Sequence, residues 1–201
     1  MRISAVVCDV GETLVDETAL WSELADRVGV PRFTFMATLG GLITRGRDHR
    51  EIWGDLGVDE PRHWPEHTAS DLYPDASDFL ADVHRLGITV GITGNQPERT
   101  EAVLRDMGLP ADLVASSAGW GVEKPSTGFF TKLVDVCDCA PEQVLYVGDR
   151  VDNDIVPAEA AGLLTCHIRR GPWGIIQSRW PEARTATMSV DSLAELSRKL
   201  S

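Results

Sequence analysis

Short apolar runs alternate with stretches of helical periodicity along most of the chain. Runs that are short, mostly apolar and bounded by polar turns are typical of strands in a buried parallel sheet. They cover residues 3–8, 88–93, 113–116, 144–147 and 164–168. Helical patterns fall at residues 76–85, 98–107, 127–136 and 191–200. This alternation predicts an α/β fold with helices on both faces of a parallel sheet.

Residues 15–73 break the alternation. Helical patterns at 18–28, 33–42 and 48–56 follow one another there without a clear strand. The predicted organisation is therefore a core made of residues 1–14 and 74–201, with a small helical cap at 15–73 inserted after the first strand. An insert at the carboxyl end of a strand overhangs the crevice where open α/β sheets bind ligands, so it suits a lid.

Composition and charge restrict the classes of partner. The chain of 201 residues has a net charge of −12, which disfavours nucleic acid and anionic membranes as partners. A small anionic substrate stays compatible, because a bound cation reverses the local field. No apolar run approaches the roughly 20 residues that span a bilayer. Of the four cysteines, Cys8 and Cys166 lie inside predicted strands, where a cysteine is usually a small buried hydrophobe. Cys137 and Cys139 have no second pair or histidine near them in sequence, which disfavours a zinc site, and a reducing cytoplasm is expected.

Polar side chains stand where the predicted strands end. Asp9 ends the first run, and Asp149, Asp152 and Asp154 follow the run at 144–147. Carboxylates at the ends of such strands can share one hard cation, because Mg²⁺ prefers oxygen ligands. A Thr-Gly-Asn turn at residues 93–95 ends another run. Lys124 is one of only three lysines against sixteen arginines, and it is a compact point charge suited to a phosphate.

Taken in order, these residues resemble the motifs of the haloacid dehalogenase-like hydrolase superfamily, which consists mostly of phosphatases. The motifs are residues 9–14 (DVGETL), 92–95 (ITGN), Lys124 within 121–125 (GVEKP), and Gly148-Asp149 with Asp154, followed by AEAAG at 158–162. The resemblance runs from residue 3 to about residue 174. It implies a Rossmann-like core with a small helical cap.

The resemblance also implies roles for individual residues. The catalytic residues would be Asp9, Thr93 and Lys124, with Asp9 as the nucleophile that becomes an aspartyl-phosphate. Thr93, Gly94, Asn95 and Lys124 would bind the substrate. Mg²⁺ would be held by Asp9, Gly11 through its carbonyl, Asp149 and Asp154. Asp152 stays an alternative to Asp154, although it could equally cap the following helix.

One departure from the family pattern affects the chemistry. Phosphatases of this family carry a second aspartate two residues after the nucleophile, as proton donor and then base, and here that position is Gly11. Its substitutes would be Glu12 or a cap residue. The cap candidates are His49, Glu51, His63, Glu66 and His67.

The function expected from the resemblance is Mg²⁺-dependent hydrolysis of a small phosphorylated metabolite. Two alternatives remain: a binding or regulatory protein with weakened catalysis, and a 2-haloacid dehalogenase, which the acidic fourth motif disfavours. A Schiff-base phosphonate hydrolase needs a cap lysine, and residues 15–90 contain none. A homodimer stays open.

Overall fold

The computed structural model describes residues 2–201. One sheet of six parallel strands has the order β3-β2-β1-β4-β5-β6. The strands are β1 Ala5–Cys8, β2 Thr89–Gly94, β3 Leu113–Ser116, β4 Val144–Gly148, β5 Leu164–Ile168 and β6 Met188–Val190. The predicted α/β class with a parallel sheet is confirmed. Strand β6 was missed because it is three residues long and does not form a continuous buried run.

Ten α-helices surround the sheet within the described residues. They are α1 Thr18–Arg27, α2 Arg32–Thr44, α3 Ile52–Leu56, α4 Ala76–Arg85, α5 Arg99–Asp106, α6 Ser117–Trp120, α7 Thr127–Cys137, α8 Val156–Ala160, α9 Gly171–Gln177 and α10 Leu193–Leu200. Short 3₁₀ turns occupy His49–Glu51, Ala69–Asp71, Pro141–Gln143 and Pro181–Thr185, and a π-helical turn occupies Val151–Ile155. Gly87 and Gly108, with φ of 72° and 68°, follow α4 and α5 as expected of C-terminal stops.

Alternate residues of the strands point into two apolar layers. On β1, Val6 packs with the layer under α4 and α10, whereas Val7 faces the layer under α7. Both faces of the central strands are thus covered, as their continuous apolar runs require. The carboxyl ends of β1, β2 and β4 form the open edge of the sheet, where open α/β folds bind their ligands.

The helices between residues 18 and 56 form a third apolar cluster above that edge. It contains Trp21, Phe35 and Trp53 from the segment itself and Trp173 from α9. The helical segment therefore packs against α9 of the remaining chain. The division of the chain into core and cap at residues 14 and 73 stays a prediction. Within residues 2–201, no helix combines the length and apolarity that crossing a bilayer requires.

Candidate active site

The carboxyl ends of three neighbouring strands bring the predicted motif residues together. Cys8 is in register with Ile92 of β2 and Val147 of β4, so the residues that follow lie level with one another. The backbone N–H of Asp9 donates to the Val147 carbonyl over 2.8 Å. Asp9 and Asp149 are 8% and 2% exposed, so their carboxyl groups lie in a largely water-excluded crevice.

Lys124 connects the two acidic motifs. Its Nζ lies 2.8 Å from Asp9 Oδ1 and 2.6 Å from Asp154 Oδ1, and the residue is 2% exposed. Burial alone would lower the pKa of Lys124, but the Asp154 and Asp9 carboxylates raise it well above its usual value. The ammonium group is therefore held charged between two acids.

Asp9, Asp149 and Asp154 form a buried acidic cluster. One oxygen from each lies within 4.8 Å of the others. Burial, followed by the nearby Asp154 and Asp9 carboxylates, raises the pKa of Asp149 well above its usual value. Asp149 Oδ2 is buried and has no hydrogen-bond partner among residues 2–201. Three hard oxygen donors, one of them unpartnered, fit a divalent cation such as Mg²⁺, which would relieve their mutual repulsion.

The structure separates the two competing acids. The π-helical turn at Val151–Ile155 turns Asp154 into the cluster, where Oδ2 also accepts from the Arg150 backbone N–H over 3.0 Å. A Cβ at Gly148 would lie 2.4 Å from Asp154 Oδ2, so only glycine permits this approach. Asp152 instead binds the Arg150 guanidinium through two contacts of 3.1 Å. Asp154, rather than Asp152, is thus the acid near Asp9.

The Thr-Gly-Asn turn lies beside Asp9. Thr93 Oγ1 is buried without a hydrogen-bond partner in the described chain, so it is free for a ligand oxygen. A Cβ at Gly94 would lie 2.6 Å from Asp9 Oδ1. Asn95 uses both ends of its amide on the backbone of Lys124, over 2.8 Å each. The Asn95 side chain thereby fixes the loop that presents the lysine.

Gly11 faces a residue that the sequence analysis missed. A Cβ built on Gly11 would lie 2.4 Å from Glu17 Oε1 and 2.8 Å from its Cδ. The carboxyl group of Glu17 therefore fills the space that a side chain at position 11 would take. Glu17 Oε2 accepts a hydrogen bond from Trp21 Nε1 over 3.1 Å. Burial, followed by the Glu12 carboxylate, raises the pKa of Glu17 to about 8.

Glu12, a candidate proton donor in the sequence, has both carboxylate oxygens in other hydrogen bonds. Its backbone has φ of 52°, and its Oε2 accepts from the Tyr73 hydroxyl over 2.5 Å. Its Oε1 accepts from the backbone N–H of Glu17 over 3.1 Å. With both oxygens occupied, Glu12 stabilises the loop after β1.

The proposed cap donors differ in position. His49, Glu66 and His67 line the cavity above Asp9. Glu51 instead binds Arg47 over 2.7 Å, and the side chain of His63 is exposed. Of the cap candidates, only the three that line the cavity are near the reacting centre.

The cavity above Asp9 has a volume of about 420 Å³. Its wall includes four arginines, Arg50, Arg62, Arg99 and Arg150, as well as Trp21, Trp64 and Trp173. The Arg150 guanidinium stacks on Trp173 at 5.3 Å from the ring centroid. A small molecule fits this volume, and the arginines offer cationic partners for an anion among the carboxylates of Asp9, Glu12, Glu17, Glu60, Glu66 and Asp149 that line the same wall.

Comparison with known proteins agrees with these motifs. The model of the haloacid dehalogenase-like hydrolases matches residues 3–162. A glyceraldehyde 3-phosphate phosphatase from Methanopyrus kandleri is 28% identical over 88% of this chain and 88% of its own length. A phosphoserine phosphatase from Thermus thermophilus is 30% identical over 66% of this chain, which spans 50% of the relative.

Two solved structures share the fold. A putative hydrolase, YfnB, from Bacillus subtilis, bound to magnesium, has a TM-score of 0.73 at 19% identity, with 100% of this chain and 99% of that chain covered. An L-2-haloacid dehalogenase from Xanthobacter autotrophicus has a TM-score of 0.72 at 19% identity, with 99% and 98% covered. The resemblance noted in the sequence is confirmed, but the fold alone does not separate the two chemistries.

Proposed function

Because the chain belongs to the haloacid dehalogenase-like hydrolase family, we propose that it is a phosphatase acting on a small phosphorylated metabolite. The observation that carries the proposal is the buried group of Asp9, Lys124 and Asp154, joined by contacts of 2.8 and 2.6 Å. Phosphatases among the relatives, named for glyceraldehyde 3-phosphate, phosphoserine and phosphoglycolate, support the same class of reaction.

In this proposal Asp9 is the nucleophile. One of its carboxylate oxygens attacks phosphorus, the bond to the leaving oxygen breaks, and an aspartyl-phosphate forms that water then hydrolyses. The Lys124 ammonium, 2.8 Å from Asp9 Oδ1, neutralises charge on the phosphoryl oxygens. The free Thr93 hydroxyl donates to another of these oxygens. Positioning and charge neutralisation are the main catalytic tasks in phosphoryl transfer.

The acidic cluster would hold Mg²⁺ in this proposal. Asp9, Asp149 and Asp154 supply the side-chain oxygens, and the Gly11 carbonyl adds a backbone ligand. When bound, the ion neutralises developing negative charge on the phosphoryl group. The clustered carboxylates favour phosphoryl transfer over dehalogenation, since attack on a carbon–halogen bond has no need of a divalent cation. A cytoplasmic location and a homodimer remain predictions of the same kind.

A panel of phosphomonoesters tests the proposal. We expect turnover of small phosphorylated acids and sugars that depends on added Mg²⁺ and stops with a chelator, measured as released phosphate. Binding without turnover across the panel would favour the regulatory alternative. Release of halide from 2-haloacids without Mg²⁺ would favour the dehalogenase.

Mg²⁺ is also expected to stabilise the folded protein. A ligand at 100 times its Kd adds about 2.7 kcal/mol to the free energy of unfolding. The Asp149→Asn variant should lose this response, whereas Asp152→Asn should keep it because Asp152 binds Arg150 outside the cluster. Thermal unfolding with and without Mg²⁺ measures both. Equal responses in the two variants would contradict the assignment of the site.

A further inference from the structure

When a phosphate ester is cleaved, the oxygen of the leaving group must gain a proton. Asp9 cannot supply it, because it is the nucleophile and lies beside the Lys124 ammonium. Gly11 has no side chain. If the chain is a phosphatase as proposed, another group in the cavity must supply this proton.

Most acidic groups around the cavity are committed to other contacts. Both oxygens of Glu12 accept hydrogen bonds, from Tyr73 and from a backbone N–H. Glu60 accepts from Trp64 Nε1 over 3.0 Å, and Glu66 binds Arg99 over 3.0 Å at the exposed rim. Glu12 thus has no free oxygen, and Glu60 and Glu66 are exposed side chains, unlike Glu17, which lies against Gly11.

The histidines of the cavity are also poorly placed for this step. His49 packs edge-on against the rings of Trp21 and Trp173, with centroids 6.0 and 5.9 Å away, and its Nδ1 lies 3.4 Å from Asp48. His67 is 7% exposed, and its Nε2 lies 3.9 Å from Glu17 Oε1. Glu17 Oε1 lies closer to Gly11, at 2.4 Å from a Cβ built there, than His67 Nε2 lies to Glu17 Oε1.

Glu17 has the position and the free oxygen that the step requires. Its Oε1 lies where a side chain at Gly11 would begin, two residues from Asp9, and it lines the same cavity as Asp9. Trp21 Nε1 holds the other oxygen, Oε2, over 3.1 Å. Oε1 has no hydrogen-bond donor within residues 2–201. The side chain is 15% exposed, so water and substrate can reach it.

We propose that the Glu17 carboxyl group is the proton donor of the reaction, and that it reaches the substrate across the gap left by Gly11. As the Asp9–phosphorus bond forms and the bond from phosphorus to the leaving oxygen breaks, that oxygen takes the proton of Glu17. In the second step the water oxygen bonds to phosphorus, the Asp9–phosphorus bond breaks, and Glu17 takes a proton from the water. Glu17 thus returns to its starting state.

The Glu17→Gln variant tests this role, because glutamine keeps the shape of the side chain but cannot exchange a proton. General acid–base help is typically worth about 10²–10⁴-fold. On an alkyl phosphate such as glycerol phosphate, we expect turnover to fall by about 10²–10³-fold without a burst. On p-nitrophenyl phosphate the leaving group needs no proton, so the first step should persist as a burst of one p-nitrophenolate per active site, followed by slow turnover.

A matched control lies on the following helix. Glu23→Gln makes the same change at a side chain that binds Arg27 over 2.5 Å and is 52% exposed. It should leave turnover on both substrates within about twofold of the parent, since an exposed ion pair contributes little. Thermal unfolding checks that both variants fold.

Moving the carboxyl group provides the second test. Gly11→Asp alone places its Cβ against Glu17, so it should not help the parent. In the double variant Gly11→Asp/Glu17→Ala the space is vacated and the backbone of Gly11 is outside the left-handed region, so aspartate fits. We expect it to recover at least about tenfold of the alkyl phosphatase activity lost in Glu17→Ala.

The outcomes separate this inference from the proposed function. If the folded parent hydrolyses neither ester, the phosphatase proposal fails and the inference fails with it. If the parent is active and Glu17→Gln matches Glu23→Gln on both esters, the inference alone is overturned. It is overturned as well if Glu17→Gln loses the aryl burst while still folded, because a proton donor is not needed in that step.

Discussion

The Asp9→Asn variant is expected to lose phosphatase activity by at least about 10³-fold while keeping the fold, since an amide is a poor nucleophile and removal of a nucleophile is among the costliest changes in an enzyme. The amide oxygen can still accept from Lys124, which keeps its second contact to Asp154 at 2.6 Å. Steady-state turnover of p-nitrophenyl phosphate with Mg²⁺ measures the loss, and circular dichroism with thermal unfolding checks the fold.

Asp152→Asn is the matched control for this change. It removes a carboxylate a short distance along the same edge of the sheet, where the side chain is 36% exposed and binds only Arg150 in the described chain. It should therefore retain most of the activity. Residual turnover in a pure Asp9→Asn preparation close to that of the Asp152→Asn variant would rule out Asp9 as the nucleophile.

Replacing Lys124 by methionine is expected to cost both activity and stability. Methionine fills a similar volume but removes the charge between Asp9 and Asp154, and an unpaired buried charge destabilises a protein by about 3–5 kcal/mol. Chemical denaturation in the presence of a chelator measures the change in the free energy of unfolding. Lys199→Met is the control, because Lys199 forms an exposed pair with Glu195 at 3.1 Å and such pairs contribute about 0–1 kcal/mol.

The loss in Lys124→Met should depend on pH in a defined direction. Burial raises the pKa of Asp154 to about 6 even though the Lys124 ammonium lowers it, so removing that ammonium raises the pKa further. A raised folded pKa contributes stability at low pH that is lost as the pH rises through it. The variant should therefore recover stability relative to the parent on acidification. A deficit that does not change with pH would point to packing as the cause.

Local patterns were enough to predict five of the six strands and the positions of Asp9 and Asp149 at the strand ends, whereas the family resemblance pointed to Lys124. A buried parallel strand reads as an apolar run, and a carboxylate at its end marks the functional edge without any knowledge of the rest of the fold. The same reasoning left Asp152 and Asp154 open, because a π-helical turn that rotates one acid inwards has no simple pattern of apolar residues.

Glu17 could not be predicted in this way. In sequence it is a glutamate just before a helix, which is an ordinary place for a solvated acid. Its proximity to Gly11 arises from the tight loop after β1, in which the backbone N–H groups of Leu14 and Val15 donate to the Val10 carbonyl over 2.9 and 3.0 Å. The only trace in the sequence is the missing side chain at position 11, which shows that a group is needed but not where it comes from.

The contact between Glu17 and Trp21 places the proton donor on the helical segment, whereas the nucleophile belongs to the sheet. An insert taken from a relative whose acid stands two residues after the nucleophile would therefore leave this sheet without a proton donor. A chimera carrying a foreign insert on this sheet would keep Asp9 and could still form the aspartyl-phosphate. It would hydrolyse that intermediate only if the new insert filled the space beside Gly11. Substrate choice and proton transfer would then be inherited together, as one block of sequence.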